Sequence, residues 1–550
     1  MAAQQAGGGC RSNGYLMRLL LCLAFFLGFV SASRAAEKPN ILFIFADDWG
    51  RYASIYHQNS QPGSPLSALN EFAKTPTFDE VARRGVLFRN AHVNAPSCTP
   101  CRSSLLSGQY FWRTGRGAIL SGAHWDSSIP SYPLLLRDSG YSIGQTYKVW
   151  SPGTPVDAPF GGDRYAYESA GGRFNNFSEQ VTKLAAKGRP VEEAKQELYA
   201  EVRANFHRFL TERDPQKPFH YWFGPTNTHR KWQRGSGKAL WGIEPEALKG
   251  KLPPFFPDVP EVREDLADYL GEVAALDAGM AVILDELKKS GQYDNTLIFI
   301  SGDHGAPGFP NGKCNLYTFG TGVSLAIAGP GVKGGRVVDD FVNLVDLAPT
   351  FLEAAGVEIP AVMTGKSLWG ILKSEKSGQV DPERTWTVTG RERHVDRARK
   401  DFLPYPQRAI HSGNYLYIIN FKPDRDPLGD YSILSQKDAN LTSEQVREET
   451  YAVLPDVDAS PTKAWMVMNH DTAFGRPFFE AAFGKRPREE LYDLSKDPYE
   501  TKNVAQDPAY KELRAELEAK LLAELKRTGD PRLENDGAYF ENPPLSGPAK

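Results

Sequence analysis

Two continuous apolar runs, each ending in acidic residues, constrain the fold of this 550-residue chain more than any other feature. Ile41–Phe45 leads into Asp47-Asp48, and Thr296–Ile300 leads into Asp303-His304. An unbroken apolar run of this length is typical of a strand that is buried on both faces of a parallel sheet. The two runs therefore predict an α/β fold built on a mostly parallel sheet.

Predicted helices separate the predicted strands. The longest covers residues 261–290, where leucines, Val273 and Met280 recur at helical spacing. Shorter helices are predicted from Thr75 to Gly85, over 130–139 and over 346–355, and further strands near 141–147 and over 323–328. This alternation predicts a large, mostly parallel sheet flanked by helices.

The composition changes after about residue 375, where charged, loop-rich sequence begins. Tyr415–Ile419 is predicted to be a strand, and residues 508–527 are predicted to form a terminal helix. We therefore divide the chain into a signal peptide (1–35), a large α/β domain (36–375) and a smaller C-terminal α+β region on an antiparallel sheet (376–550).

The N-terminus has the pattern of a secretory signal peptide. An apolar run over 19–30 follows Arg11 and Arg18, and Ser33-Arg34-Ala35 follows the run. A membrane span needs about 20 apolar residues, so no stable span is expected, although an uncleaved anchor is the alternative interpretation. We predict a periplasmic or secreted protein, which would be lysosomal in a eukaryotic cell.

Charge and cysteine content exclude two classes of protein. The chain has 64 Lys and Arg against 67 Asp and Glu, a net charge of −3, which argues against a nucleic-acid-binding surface. It has five cysteines, too few for a disulfide scaffold: Cys10, Cys22, Cys98, Cys101 and Cys314. The first two fall within the predicted signal peptide.

The acidic residues at the two strand ends predict a metal site. In open α/β sheets, functional groups gather at the carboxyl ends of the strands, which would bring Asp47-Asp48 and Asp303-His304 together. Converging carboxylates repel each other unless a cation neutralises them, and oxygen ligands favour Ca²⁺ or Mg²⁺. Either acidic pair alone would also fit a helix cap or a turn.

The segment Pro96–Gly108 carries the most specific motif. Cys98 and Cys101 alone would suggest a metal or redox pair, but no second C-x-x-C accompanies them. Cys98-x-Pro100-x-Arg102, followed by Leu, Ser and Gly, instead resembles the signature of the sulfatase family. Further segments that resemble sulfatase landmarks are Asn40–Asp48, Gly302–Gly305, Glu490–Leu494 and Asp497–Glu500 with Asn503.

The resemblance implies an alkaline-phosphatase-like sulfatase fold and a modified nucleophile. In this family the first Cys of the signature is oxidised to Cα-formylglycine, which places the modification at Cys98 and makes a formylglycine-generating or sulfatase-maturing enzyme a partner. The hydrated aldehyde then supplies the hydroxyl that attacks sulfur. The metal ligands that the resemblance implies for Ca²⁺, or for Mg²⁺, are Asp47, Asp48, modified Cys98, Asp303 and His304.

The resemblance also assigns the remaining roles. Arg102, Lys148 and Lys313 are expected to surround an anionic transition state as cations. His229 is expected to be the general acid that protonates the leaving group. His394 is expected to help bind the sugar.

Within the family, the sequence is most similar to the heparan N-sulfatases. The matching stretches are Lys313–Tyr317, the Phe219–Phe223 run that leads to His229, and Tyr405-Pro406-x-Arg408. His304 in place of Asn, and the string Lys148–Gly153, are more similar to iduronate 2-sulfatase. In that string the family usually supplies a His two or three residues after the Lys, where this chain has Trp150 and Ser151, and this departure leaves His229 as the acid.

We therefore predict an enzyme that hydrolyses sulfate from a sulfated glycan, with the N-sulfate of glucosamine in heparan-type chains as its target. An O-sulfatase is the alternative within the family. A catalytically silent glycan-binding protein on the same fold is a third interpretation, against which the intact motif argues. A phosphatase or phosphodiesterase is a fourth, weakened because those relatives use Ser or Thr. A homodimer is one of the assemblies that the sequence leaves open.

Overall fold

A computed structural model describes residues 38–59, 67–436 and 440–541. The predicted signal peptide lies outside the described residues. The strands are β1 Asn40–Ala46, β2 Val86–Phe88, β3 Ala91–His92, β4 Ser142–Tyr147, β5 Phe219–Gly224, β6 Thr296–Gly302, β7 Leu325–Ala328, β8 Arg336–Val338, β9 Val342–Asn343, β10 Trp386–Arg391, β11 Gln407–Ser412, β12 Tyr415–Asn420 and β13 Glu489–Asp493.

The α-helices lie between and after these strands. They are α1 Ser54–Gln58, α2 Ser67–Asn70, α3 Pro76–Arg84, α4 Cys98–Ser107, α5 Tyr132–Asp138, α6 Phe177–Ala186, α7 Val191–Glu212, α8 Ser236–Trp241, α9 Pro260–Lys289, α10 Thr318–Thr321, α11 Leu347–Ala354, α12 Trp369–Lys373, α13 Ser443–Glu448, α14 Pro461–Met468, α15 Arg476–Phe483, α16 Lys511–Arg527 and α17 Ala538–Glu541. None of the described helices is both long and apolar enough to cross a membrane.

The main sheet has seven strands in the order β4-β5-β1-β6-β7-β2-β8. The strands β4, β5, β1 and β6 are parallel neighbours, whereas β7 runs antiparallel to β6 and β2. This arrangement confirms the predicted large, mostly parallel sheet. The antiparallel pairing of β7 accounts for the mixed character of the sheet.

Both faces of the main sheet are covered, which is why its central strands are apolar throughout. Leu42 and Ile44 of β1 point into one core, where Leu266 and Leu270 of α9 pack. The alternate residues of β1 point into a second core on the opposite face, which includes Leu105 of α4. A strand between two apolar layers has no polar face, so its sequence does not alternate.

The smaller sheet lies within the predicted C-terminal region and is antiparallel, in the order β10-β11-β12-β13. Leu517, Leu521 and Leu525 of α16 share a core with Val388 and Ile410 of this sheet. The antiparallel sheet and terminal helix were both expected from the sequence. The exact domain boundary at residue 375 stays a prediction.

Candidate active site

The predicted site residues meet at one edge of the main sheet. Lys148 directly follows β4, and His229 lies in the loop after β5. Asp47-Asp48 directly follows β1, and Asp303-His304 directly follows β6. Because β4, β5, β1 and β6 are parallel neighbours, their carboxyl ends lie side by side and bring these residues together.

Helix α4 brings Cys98 to the same edge, since Cys98 is the first residue of the helix and Ser97 is its N-cap. The Sγ atom of Cys98 lies 3.4 Å from Nε2 of His304 and 3.9 Å from Oδ1 of Asp48. The first backbone N–H groups of a helix have no partner within the helix and, together with the helix dipole, favour an anion. Residue 98 therefore stands at a position that favours a bound anion.

Arg102, one helical turn after Cys98, contacts three strand ends from a fully buried position. Its Nε donates to Oδ2 of Asp303 at 2.9 Å, and its Nη2 donates to Oδ1 of Asp47 at 3.1 Å. Its Nη1 donates to the backbone carbonyl of Lys148 at 3.1 Å. The guanidinium thus links three strand ends to α4, which is a bridging task that a lysine could not perform.

Two lysines contact the acidic cluster, each through a different carboxylate. Nζ of Lys148 lies 2.8 Å from Oδ2 of Asp47, and Nζ of Lys313 lies 3.1 Å from Oδ2 of Asp48. Lys313 also lies 3.3 Å from Oδ2 of Asp458. Both ammonium groups therefore lie beside the carboxylates of the cluster.

His229 and His304 occupy different positions in the site. His304 is fully buried, and its Nε2 lies 3.2 Å from Oδ1 of Asp48 and 3.4 Å from Oδ1 of Asp303. The His229 side chain is 36% exposed, and its Nε2 lies 3.8 Å from Oδ2 of Asp48. Nδ1 of His229 lies 2.6 Å from the carbonyl oxygen of Arg230, which leaves Nε2 to face the site. His304 is thus enclosed among the carboxylates, whereas His229 is partly accessible to solvent.

The charges of these groups perturb one another. Burial by itself raises the pKa of Asp47, but Lys148 and then Arg102 outweigh it and hold the pKa well below its usual range. Burial raises the pKa of Asp303. Burial also raises the pKa of the Cys98 thiol well above its usual value, and the charge of Asp47 adds to this effect. An unmodified Cys98 therefore stays a protonated thiol, which is a poor nucleophile.

The donor set fits a hard divalent cation. Two groups of ligand atoms, each within 4.8 Å of one another, share Cys98: one with Asp48 and His304, the other with Asp47 and Asp303. Three carboxylates dominate this set, and oxygen ligands suit Ca²⁺ and Mg²⁺ better than softer ions. A nearby sulfate would experience the charge of such an ion as the largest local term.

Formal charge supports the same conclusion. Counted with their ordinary charges at neutral pH, the groups of the site are the carboxylates Asp47, Asp48, Asp303 and Asp458 and the cations Arg102, Lys148 and Lys313. The carboxylates outnumber the cations by one, and a sulfate monoester would add a further negative charge. A divalent cation would return the formal balance to zero, which is the physical reason for expecting one here.

The backbone around the cluster is shaped for close approach. Asp48 has a positive φ of 56°, which is uncommon for a residue other than glycine and concentrates at functional sites. A Cβ atom on Gly302 would lie 1.9 Å from the carbonyl oxygen of Trp49, so only glycine fits where β6 passes the end of β1. These two features bring the acidic pairs into contact.

Two residues near the cluster lie where the sequence did not indicate. His394, expected to bind sugar, is buried behind Cys98, with Nδ1 2.7 Å from Oγ of Ser97, and burial lowers its pKa to about 3. Asp458 reaches Lys313 from a segment that no motif marked. Sugar binding by His394 stays a prediction.

The three cysteines among the described residues are free and buried. Cys101 packs in the core beside β1 rather than in the ligand groups, and Cys314 packs in a separate apolar cluster. The C-x-x-C spacing thus does not form a two-thiol metal site in this structure.

Comparisons with known proteins agree with this geometry. The family model described as Sulfatase matches residues 39–357. Human N-sulphoglucosamine sulphohydrolase is 28% identical over 520 residues, which cover 90% of this chain and 91% of the human protein.

Solved structures share the fold. A structure in complex with its substrate D-glucosamine-2-N,6-O-disulfate superposes with a TM-score of 0.57 at 15% identity, covering 90% of this chain and 99% of that chain. A phosphonate monoester hydrolase from Silicibacter pomeroyi superposes with a TM-score of 0.56 at 18% identity, covering 90% and 97%. The alkaline-phosphatase-like sulfatase fold is thereby confirmed.

Proposed function

Because this chain belongs to the sulfatase family, we propose that it is a formylglycine-dependent sulfohydrolase that removes the N-sulfate of glucosamine in heparan-type chains. The observation that carries the reaction is the position of Cys98 at a helix N-terminus, 3.4 Å from His304 and beside three carboxylates. The substrate is supported by the human relative, whose name specifies N-sulphoglucosamine.

The nucleophile and the metal are both part of the proposal. Formylglycine at position 98 would supply a hydroxyl nucleophile that the protonated Cys98 thiol lacks, after oxidation by a formylglycine-generating or sulfatase-maturing enzyme. Asp47, Asp48, Asp303 and His304 would hold Ca²⁺, or Mg²⁺, which would neutralise charge on the sulfate oxygens.

The side chains of the protein itself divide the remaining work. Lys148 and Lys313 stand at the cluster with their ammonium groups toward the site and would stabilise the negative charge that develops on the sulfate. Arg102 was expected to be a third such cation, but because it is fully buried and pairs with Asp47 and Asp303, we assign it the task of positioning these two carboxylates. Nε2 of His229 lies 3.8 Å from Oδ2 of Asp48 and would deliver a proton to the leaving nitrogen.

An O-sulfatase is the second candidate, and His304 favours it. This residue takes the position where heparan N-sulfatases have Asn, and it lies within the ligand group. The leaving group would then be an alcohol oxygen, and the same nucleophile and cations would serve both reactions. The proposed compartment, periplasmic or extracellular and lysosomal in a eukaryote, supplies sulfated glycans in either case.

Two measurements test the proposal together. Mass spectrometry of the peptide that contains residue 98 should find the aldehyde rather than the thiol. Turnover of N-sulfoglucosamine should exceed turnover of glucosamine 6-sulfate and iduronate 2-sulfate. A Cys98→Ala variant should lose all activity, whereas Cys101→Ser, the matched control in the same helix, should keep the modification. An active enzyme with an unmodified thiol would refute the mechanism, and release of O-sulfate alone would reject the N-sulfate.

A further inference from the structure

Asp458 brings a carboxylate to the active site from a segment remote in sequence. Its Oδ2 atom lies 3.3 Å from Nζ of Lys313, which contacts Oδ2 of Asp48 at 3.1 Å. Lys313 therefore stands between Asp458 and the cluster. Asp458 belongs to neither ligand group found among the described residues. Its carboxylate therefore lies one side chain away from the ligand groups, beside the lysine that would contact a bound sulfate.

The segment that carries Asp458 is held from both sides. Asp456 accepts hydrogen bonds from Arg391 at 2.5 Å and from Arg399 at 2.6 Å. The buried ammonium of Lys463 donates to the backbone carbonyl just before Asp458 at 2.8 Å. A charged side chain is costly to bury unless it has hydrogen-bond partners, so these paired side chains keep one arrangement. The backbone that carries Asp458 is therefore held in place on both sides. Asp458 is therefore a preorganised group rather than a mobile surface acid.

The carboxylate of Asp458 has acceptor capacity that the described residues do not fill. Its Oδ2 is buried and has no well-aligned hydrogen bond among the described residues, while the side chain as a whole is 18% exposed. Burial opposes ionisation, but Lys313 and then His229 outweigh it, so the pKa of Asp458 lies below its usual value and the group is an anion. An ionised carboxylate accepts several hydrogen bonds and donates none.

A fixed carboxylate beside a sulfate-binding site limits which other groups the substrate can carry nearby. It repels any further negative group nearby, and it binds hydroxyl donors strongly because charge-assisted hydrogen bonds are about twice as strong as neutral ones. A glucosamine ring offers hydroxyl groups, whereas an iduronate ring also carries a carboxylate. An acid at this position would therefore separate the two kinds of sugar.

We propose that Asp458 is a specificity-determining residue that accepts a hydrogen bond from a ring hydroxyl of the sulfated sugar and disfavours rings with a carboxylate. This inference rests on the proposed function, because it assumes a sugar sulfate as substrate. It adds to the proposed function the side chain that would favour a hexosamine ring over a uronate ring.

The test compares Asp458→Asn with the wild type on three substrates: N-sulfoglucosamine, iduronate 2-sulfate and 4-nitrophenyl sulfate, which has no ring hydroxyl. The variant should lower kcat/KM for N-sulfoglucosamine by about 10- to 100-fold, mainly through KM, since one charged hydrogen bond is lost. Aryl sulfate turnover should change by less than about threefold. The ratio of kcat/KM for N-sulfoglucosamine to kcat/KM for iduronate 2-sulfate should be smaller in Asp458→Asn than in the wild type.

Two further variants separate recognition from structure. Glu448→Gln, the matched control, removes an exposed carboxylate that pairs with Lys231 and should leave all three rates unchanged. Asp458→Glu keeps the charge and should keep the discrimination against iduronate 2-sulfate. This variant also tests the inference if Asp458→Asn fails to fold. An equal loss of kcat/KM on all three substrates in Asp458→Asn would mean a structural role and overturn the inference.

The remaining outcomes distinguish this inference from the proposed function. Turnover of N-sulfoglucosamine that is unaffected by Asp458→Asn would overturn the inference alone. If glucosamine 6-sulfate is the only sugar sulfate hydrolysed, the N-sulfate proposal fails. Glucosamine 6-sulfate then replaces N-sulfoglucosamine as the substrate on which Asp458→Asn and the wild type are compared. A wild-type preference for iduronate 2-sulfate, or turnover of aryl sulfate alone, would overturn both.

Discussion

Replacement of Arg102 by Met should destabilise the protein unless a divalent cation is present. The guanidinium is fully buried and is the shared partner of Asp47, at 3.1 Å, and Asp303, at 2.9 Å. Methionine fills most of the same space but leaves both buried carboxylates without this cation. The variant thereby isolates the charge of Arg102 from its packing.

The expected cost follows from the burial of the ion pairs. Removing one partner of a buried pair costs about 3–5 kcal/mol because the remaining charge is left uncompensated. Ca²⁺ would take up part of that charge, so it should bind the variant more tightly than the wild type. For comparison, any ligand at about 100 times its Kd stabilises the native state by about 2.7 kcal/mol.

The pH dependence has a defined sign. Arg102 is among the cations that hold the pKa of Asp47 below its usual value, so this contribution is present above the unfolded pKa of about 3.9 and is lost as pH falls through the folded pKa. The wild type should therefore lose its advantage over Arg102→Met in acid, where the carboxylates of both proteins become protonated.

The assay is urea denaturation of both proteins with EDTA and with excess Ca²⁺. Arg408→Met is the matched control, because Arg408 is also fully buried and pairs with two buried carboxylates, Asp530 at 2.6 Å and Glu392 at 3.0 Å. In EDTA, we expect both variants to lose a comparable amount of unfolding free energy relative to the wild type. In excess Ca²⁺, only Arg102→Met should recover part of that loss. The reasoning would be refuted if Arg102→Met lost less than about 1 kcal/mol of unfolding free energy in EDTA, or if Ca²⁺ restored both variants equally.

Three other perturbations test separate parts of the site and the fold. His229→Gln should lower kcat for N-sulfoglucosamine by about 10²–10⁴-fold and affect 4-nitrophenyl sulfate much less, because nitrophenolate leaves without a proton; equal losses would remove His229 as the acid. Lys148→Met should lower kcat by about 10²–10³-fold with an unchanged circular dichroism spectrum, and an unchanged kcat would argue against its role. Burial lowers the pKa of His411 to about 3. The unfolded chain takes up that proton near pH 6.5, so this residue should cost up to about 1.4 kcal/mol of stability per pH unit below 6.5. His411→Asn should flatten the stability curve in that range, whereas parallel curves for variant and wild type would contradict the assignment.

The central strands of the main sheet, such as β1 and β6, could be predicted because burial on both faces leaves an unambiguous apolar run, as in Ile41–Phe45. The short strands β2 and β8 of the same sheet were not predicted. The strands β10, β11 and β13 were not predicted. Glu489–Asp493 forms β13 although it begins with two acids, because Tyr417 of the neighbouring strand donates to Glu489 and Asn420 donates to Glu490. The polar partners that make such a strand stable lie elsewhere in the chain, and a local pattern does not reveal them.

The sequence by itself determined which residues make up most of the candidate site: acids at two strand ends, and a Cys-x-Pro-x-Arg signature at Cys98. Those signals are local, since strand, turn and helix start follow from a few neighbouring residues. Only the tertiary structure decided the surroundings: the burial of Arg102 between two acids, the exposure of His229 and the presence of Asp458. Asp458 and Lys313 meet across a long stretch of chain, through charge and packing that no spacing in the sequence encodes.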